Sequence, residues 1–145
     1  MNDSDTLSSA LTPADALVAI MVVASASDER MTRSELLWID RIIDSLPIFE
    51  GFSKDHVGTV AETVFDLLEE EDGLDALFGL LRDSLPETLY ETAYALACDV
   101  VAADGQAEQP ELRLLEEIRT ELNIDRLHAA AIERGARARF AHLPN

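Results

Sequence analysis

Four acidic residues recur in two pairs and are the side chains best suited to chemistry. Asp28 is followed seven residues later by Glu35, and Asp104 is followed seven residues later by Glu111. Each Asp comes where an apolar helix is predicted to end, and each Glu lies in the first turn of the next helix. Grouped carboxylates repel one another unless a cation neutralises them, and calcium and magnesium prefer oxygen ligands. The pattern therefore predicts a divalent cation site, for calcium or magnesium, formed by these four side chains.

Helix capping explains the same acids without a metal. Thr32-Arg33-Ser34-Glu35 has the form of a capping box, in which the Glu side chain bonds back to the backbone amide of the Thr. Glu111 has the equivalent first-turn position, and an Asp after a helix satisfies the amides of a turn. Acidic side chains at helix starts also suit the helix dipole. Cation binding and capping are therefore both open interpretations of the repeated acids.

The two acidic pairs belong to a longer internal repeat. Residues 19–28 align with residues 95–104 at a constant offset of 76, and the alignment continues without a gap into the next helix. We therefore expect residues 12–46 and 88–122 to be two copies of one helical unit. Such copies usually pack about a pseudo-two-fold axis, which would bring the repeated acids face to face.

The hydropathy pattern predicts an all-α fold of about seven helices. No segment alternates like a half-buried strand, whereas apolar spacings of three and four recur throughout. One helix, predicted to begin after Thr12, and its repeat partner are apolar on all sides, so we expect them to be the two central helices. We expect residues 1–11 to be an N-terminal tail and residues 12–145 to form a single domain. The helices that follow the central pair should bury one stripe each, consisting of Leu36, Ile39, Ile43 and Leu46 in the first copy and Leu112, Leu115, Ile118 and Leu122 in the second.

The charge of the chain limits its partners. It has 29 acidic and 11 basic residues, giving a net charge of -18, which repels nucleic acid and anionic lipid. Cations and basic protein partners are favoured, and a homo-oligomer is compatible with the sequence. Three arginines near the end, Arg134, Arg137 and Arg139, are expected to contact the acidic body of the same or another molecule. The longest apolar run, Ala16 to Ala24, is too short to insert in a membrane. With no secretory signal at the start and a lone cysteine, the sequence predicts a cytoplasmic protein.

Asp99 interrupts the second central helix, where the first copy has Val23. An acidic side chain in a buried helix needs a partner. We consider two roles, a hydrogen-bonded core aspartate paired with a Tyr or Arg, and a residue that orients the ligands of the predicted cation site. The sequence has no recognisable Ser, His and acid motif and no glycine-rich phosphate loop, so we do not expect an enzyme.

The second copy carries a family resemblance. The turn Ala102-Ala103-Asp104-Gly105, followed by Glu111, Leu115 and Ile118, resembles the tellurite-resistance TerB family over about residues 12–140. In the first copy, Glu29 stands where the family often has glycine. The resemblance implies a duplicated helical fold with two central helices, a cytoplasmic location and a part in stress or metal-oxyanion responses. It also implies that the suspected metal ligands are Asp28, Glu35, Asp104 and Glu111.

Together these patterns indicate a non-catalytic protein that binds a divalent cation or a protein partner. The alternative is a purely structural interaction module whose acidic residues only cap helices. Tellurite itself is an anion, which a chain of this charge repels from most of its surface. Reducing tellurite requires thiols or a redox cofactor, and a single buried cysteine, Cys98, supplies neither.

Overall fold

The computed structural model describes residues 11–25, 33–103 and 109–144. Within these ranges the chain is helical and contains no strand, so the all-α prediction and the predicted number of helices are confirmed. The helices are α1 (Pro13–Ser25), α2 (Arg33–Ser45), α3 (His56–Leu68), α4 (Gly73–Ser84), α5 (Tyr90–Ala103), α6 (Gln109–Glu121) and α7 (Arg126–Arg139), with 3-10 turns at Pro47–Phe49 and Glu87–Leu89. None of these helices has both the length and the apolar character that crossing a bilayer requires.

The helices α1 and α5 form the centre of the molecule, as predicted. Every residue of α1 from Asp15 to Ala24 is buried, because this helix is apolar on all sides. Its most extensive contact is with α5. The remaining helices surround this pair, with α3 and α4 packed on α1 and α6 and α7 packed on α5. The core is therefore a layer of helices around two buried ones.

The bounds of the outer helices agree with the repeat. Both ends of α6 are displaced by 76 residues from the ends of α2, and each of these helices contacts both α1 and α5. The two copies differ at their starts, because a 3-10 turn at Glu87–Leu89 precedes α5 whereas a capped turn at Thr12 precedes α1. The superposition of residues 12–46 on residues 88–122, and with it the pseudo-two-fold axis, stays a prediction.

Two leucines that were expected to be buried are exposed. Leu36 is 36% exposed and Leu112 is 45% exposed, although both continue an apolar stripe. They lie in the first turns of α2 and α6, whereas the buried residues Ile39 and Ile118 lie further along. The starts of α2 and α6 border open clefts, so neighbouring helices cover these first turns only in part.

Side-chain caps fix the start of α1 and the start of α7. The backbone N–H of Asp15 donates to Thr12 Oγ1 (3.0 Å), and the N–H of Thr12 donates to Asp15 Oδ2 (3.1 Å). Asp15 is buried, and its Oδ1 also lies 3.3 Å from Nε2 of His56 in α3. Asp125 caps α7, and its hydrogen bonds from the N–H groups of His128 and Leu127 lower the pKa of its carboxyl group.

Candidate functional site

A cleft of about 470 Å³ lies where α1 and α5 end and where α2 and α6 begin. We call it the acidic cleft, because Glu35 of α2 and Glu111 of α6 both line it. Each of these partly buried glutamates comes from the first turn of its helix, so the helix starts position them. Two of the four residues predicted as cation ligands therefore border the same cavity. The rest of its lining is Ala24, Ser25, Ser34, Leu37, Trp38, Arg41, Val100 and Ala103.

The other two predicted ligands, Asp28 and Asp104, lie outside the described residues. Over residues 11–25, 33–103 and 109–144, no three His, Cys, Asp or Glu side chains are grouped closely enough to hold a metal ion. The four-carboxylate site therefore stays a prediction, with half of its residues located at the acidic cleft.

One wall of the acidic cleft is aromatic and basic. The guanidinium of Arg41 lies over the ring of Trp38, 5.9 Å from its centroid, and offsets part of the negative charge of the glutamates. The indole N–H of Trp38 is buried and has no hydrogen-bond partner among the described residues. On another side Trp38 meets Phe140 edge to face, with ring centroids 5.2 Å apart. This contact joins α2 to the end of α7.

A second cleft, of about 490 Å³, lies between α5, α6 and the end of α7. We call it the arginine cleft, because Arg119 and Arg137 line it together with His142. Its interior includes Tyr94 and Cys98, which are buried side chains of α5. The arginine cleft was not predicted from the sequence, since its lining comes from three helices whose relative packing sets the cavity.

Two polar side chains inside the arginine cleft, Tyr94 and Cys98, are neutral at physiological pH. The hydroxyl of Tyr94 donates to Glu133 Oε2 (2.7 Å), and burial together with this hydrogen bond raises the pKa of the phenol above its ordinary value. Burial likewise raises the pKa of the Cys98 thiol to about 12. At neutral pH this thiol is therefore a poor nucleophile and a poor metal ligand.

Asp99 forms an ion pair with Arg139, which matches one of the two roles considered for it. The side chain of Asp99 is 20% exposed, so this residue is partly buried and is not a fully enclosed core aspartate. The pair holds the last turn of α7 against α5, and in this way it supports a wall of the arginine cleft. It also confirms that one of the C-terminal arginines contacts the acidic body of the same molecule.

Comparison with known families agrees with this architecture. The family described as tellurite resistance protein TerB matches residues 14–134, which include Glu35, Glu111 and most of the lining of both clefts. Searches against curated proteins and against solved structures give no significant match. Because the family match spans most of the chain and the described fold is all-helical, this protein belongs to the tellurite-resistance TerB family.

Proposed function

We propose that this protein is a non-catalytic binding protein of the metal-stress or tellurite response, and that its acidic cleft takes a divalent cation, calcium or magnesium. The observation that carries the proposal is that Glu35 and Glu111, one from each predicted copy, line the same cavity. Oxygen ligands from separate helices are what a hard cation requires. Two further carboxylates are near in sequence, because Asp104 follows Ala103 directly and Asp28 is three residues beyond Ser25.

The electrostatics of the cleft favour a cation. A chain with a net charge of -18 concentrates cations at its surface, and partial burial of Glu35 and Glu111 reduces the screening of their charges by water. Arg41 offsets one unit of charge only. The cavity is much larger than an ion, so water molecules or a partner's side chain are expected to complete the coordination.

A basic protein partner is the second candidate ligand of this face. Leu37 is 54% exposed and Leu36 is 36% exposed, directly after Glu35 in α2, and the exposed Leu112 follows Glu111 in α6. Apolar side chains beside acidic ones suit a helix that carries both apolar and basic residues. Such a partner is compatible with a cation in the cleft, since the leucines lie beside the glutamates.

Calorimetric titration of metal-free protein with calcium, magnesium, manganese and zinc tests the cation proposal. We expect at least one of the oxygen-preferring cations to bind more tightly than millimolar. Glu35→Gln and Glu111→Gln should each weaken this binding about tenfold or more, because each removes a charged ligand. Glu62→Gln is the matched control, since Glu62 is an exposed residue of α3 outside both clefts. This substitution changes the net charge by the same amount as Glu35→Gln or Glu111→Gln.

Two substitutions at Asp104 separate cation binding from capping. Asp104→Asn keeps most of the capping ability of the side chain and removes its charge, so a ligand role predicts weaker cation binding with little change in stability. A cap without a ligand role predicts that Asp104→Ala costs about 1 kcal/mol of stability and that no variant changes cation binding. The cation proposal fails if the wild-type protein shows no divalent binding tighter than millimolar.

A further inference from the structure

We propose that the arginine cleft is a second binding site, for a small molecule with an apolar body and a carboxylate group, of the class of medium-chain fatty acids. This site is separate from the acidic cleft in its lining and in the charge it prefers. The proposal rests on the volume of the cavity, on the character of its interior and on two arginines that have no acidic partner among the described residues.

The size and the lining of the cleft fit such a molecule. A volume of about 490 Å³ is within the range of roughly 300–1,000 Å³ that is typical of small-molecule sites. Its apolar lining comes from α5, α6 and the end of α7, and includes Val101, Leu115 and Phe140. Leu112, which is 45% exposed at the border of the cleft, extends this apolar surface outward. An alkyl chain would cover surface that the fold leaves open to water.

The charged groups of the cleft favour an anion. Neither Arg119 nor Arg137 forms an ion pair or a hydrogen bond with a side chain in the part of the chain that the structure describes, whereas Arg82 and Arg139 are both paired with carboxylates. A planar guanidinium matches a carboxylate in two-point geometry. Two arginines in one cleft, neither of them paired with a carboxylate among the described residues, are available to a ligand.

The two acidic residues of the cleft do not cancel this preference. Glu133 already accepts a hydrogen bond from Tyr94 (2.7 Å), which occupies one of its oxygens and holds it against α5. Glu116 and Arg137 are both exposed, so water screens both of their charges, whereas Arg119 is partly buried and is screened less. The neutral Tyr94 and Cys98 add no charge to the interior at physiological pH. Carboxylates only accept hydrogen bonds, so an anionic head group would be bound by the arginines, of which the partly buried Arg119 is the less screened.

The charge of the whole protein makes this preference easy to test. A net charge of -18 attracts cationic amphiphiles and repels anionic ones without any specific site. A preference for the anion therefore has to come from local arginines acting against the overall field. Three probes with the same ten-carbon chain isolate the head group: decanoate, decanol and decyltrimethylammonium.

Calorimetry and the fluorescence of Trp38, the single tryptophan, measure binding below the micelle concentration of each probe. The Trp38 ring contacts Phe140 of the cleft, so occupancy should change its emission. We expect decanoate to bind at least about tenfold more tightly than decyltrimethylammonium, because a charge-assisted hydrogen bond to an arginine is lost with the cationic head. Decanol should bind with intermediate affinity.

Matched arginine variants decide whether the cleft is responsible. Arg137→Gln and Arg119→Gln should each weaken decanoate binding about tenfold and leave decanol binding unchanged. Arg134→Gln on α7 and Arg113→Gln on α6 carry the same charge change outside the cleft and should leave decanoate binding near its wild-type value. The proposal is overturned if decyltrimethylammonium binds as tightly as decanoate, if the control variants weaken decanoate equally, or if decanoate gives neither heat nor a fluorescence change.

Discussion

The acidic cleft and the arginine cleft border the same helix end and carry opposite chemistry. Val100 and Ala103 of α5 line the acidic cleft, whereas Val101 and Ala102 line the arginine cleft. Helix α5 contributes one valine and one alanine from this end to each cleft, so the difference in charge between the clefts comes from the neighbouring helices. Helix α6 contributes to both, with Glu111 in its first turn and Arg119 in its last.

The positions of Glu111 and Arg119 in α6 agree with the helix dipole, although those of Arg113 near its start and Glu121 at its end do not. A carboxylate is stabilised at the positive N-terminal end of a helix and a guanidinium at the negative C-terminal end. The arrangement that stabilises α6 therefore also gives one cleft its acid and the other its arginine. A residue that stabilises a helix end can therefore also bind a ligand, because the same position meets both requirements.

The largest effect that distinguishes the two clefts is expected in the interior of the arginine cleft. Cys98 is the single cysteine, and its pKa is raised by burial from 9.0 to about 12. At pH 8 the folded protein should therefore hold about a thousandfold less thiolate than the unfolded chain, and labelling by a thiol reagent should be slower by at least that factor. Equal labelling rates with and without urea would show that the interior is wet and open.

The same raised pKa gives a pH dependence of stability. The unfolded thiol ionises near pH 9 while the folded one stays protonated, so the contribution of Cys98 is fully present below pH 9 and is lost as the pH rises toward 12. Cys98→Ala should flatten this decline. The loss of stability that remains at alkaline pH is then attributed to Tyr94, whose pKa is also raised. Urea unfolding at several pH values measures both.

The second prediction concerns the helix that the clefts share. Ile118→Ala should cost about 2–5 kcal/mol of unfolding free energy, because Ile118 is fully buried and anchors α6 between its acidic and basic ends. Both clefts should then lose affinity near the melting temperature of the variant. Ile42→Ala is the matched change 76 residues earlier, in α2, where the residue is 8% exposed, and should cost less. Equal or reversed losses in urea unfolding would contradict the argument that the deeper burial of Ile118 sets the cost.

The third prediction is confined to the arginine cleft. Tyr94→Phe removes the hydroxyl that donates to Glu133 and should cost about 1–2 kcal/mol, since a hydrogen bond to a partly buried carboxylate is lost. Cation binding at the acidic cleft should not change. Thermal and chemical unfolding measure the loss, and calorimetry checks the cation affinity. Unchanged stability would mean that water replaces the hydroxyl at no cost.

The smallest effect is expected at the start of α7, away from both clefts. Nδ1 of His128 lies 3.0 Å from Glu91 Oε2 of α5, and this hydrogen bond raises the pKa of His128 above 6.5. The stabilisation is therefore fully present below pH 6.5 and is lost as the pH rises through the raised value. Glu91→Gln should return the pKa of His128 toward its ordinary value in an NMR titration. An unchanged pKa would show that the pair does not form in solution.

Much of the fold follows from the sequence, because helix periodicity and caps are local signals. The all-helical class, the number of helices and the burial of α1 were all predicted from the spacing of apolar residues. Leu36 and Leu112 were predicted wrongly because an apolar stripe shows which face of a helix is inward, but not how far along the helix its neighbours reach. The capping role of Asp15 was missed because Thr12 and Asp15 form a box with Asp in place of the more familiar Glu or Gln.

The clefts show the limit of sequence reasoning more clearly. The repeat led to Glu35 and Glu111, since equivalent positions of two copies are expected to lie close together. The arginine cleft has no such signal, because Tyr94, Arg119 and Arg137 are brought to one cavity only by the packing of three helices. The spacing of Leu112 and Leu115 along one face of α6 was the available hint, and both leucines were predicted to be buried in the core.

The most direct test of the two-cleft account is a crossed titration of three proteins with two ligands. Wild type, Glu111→Gln and Arg137→Gln are each titrated by calorimetry with manganese, as an oxygen-preferring divalent cation, and with decanoate. Glu111→Gln should weaken manganese binding and leave decanoate binding unchanged, and Arg137→Gln should do the reverse. The account is contradicted if manganese binds no more tightly than millimolar to the wild type, or if each variant shifts both affinities as its change in net charge alone predicts.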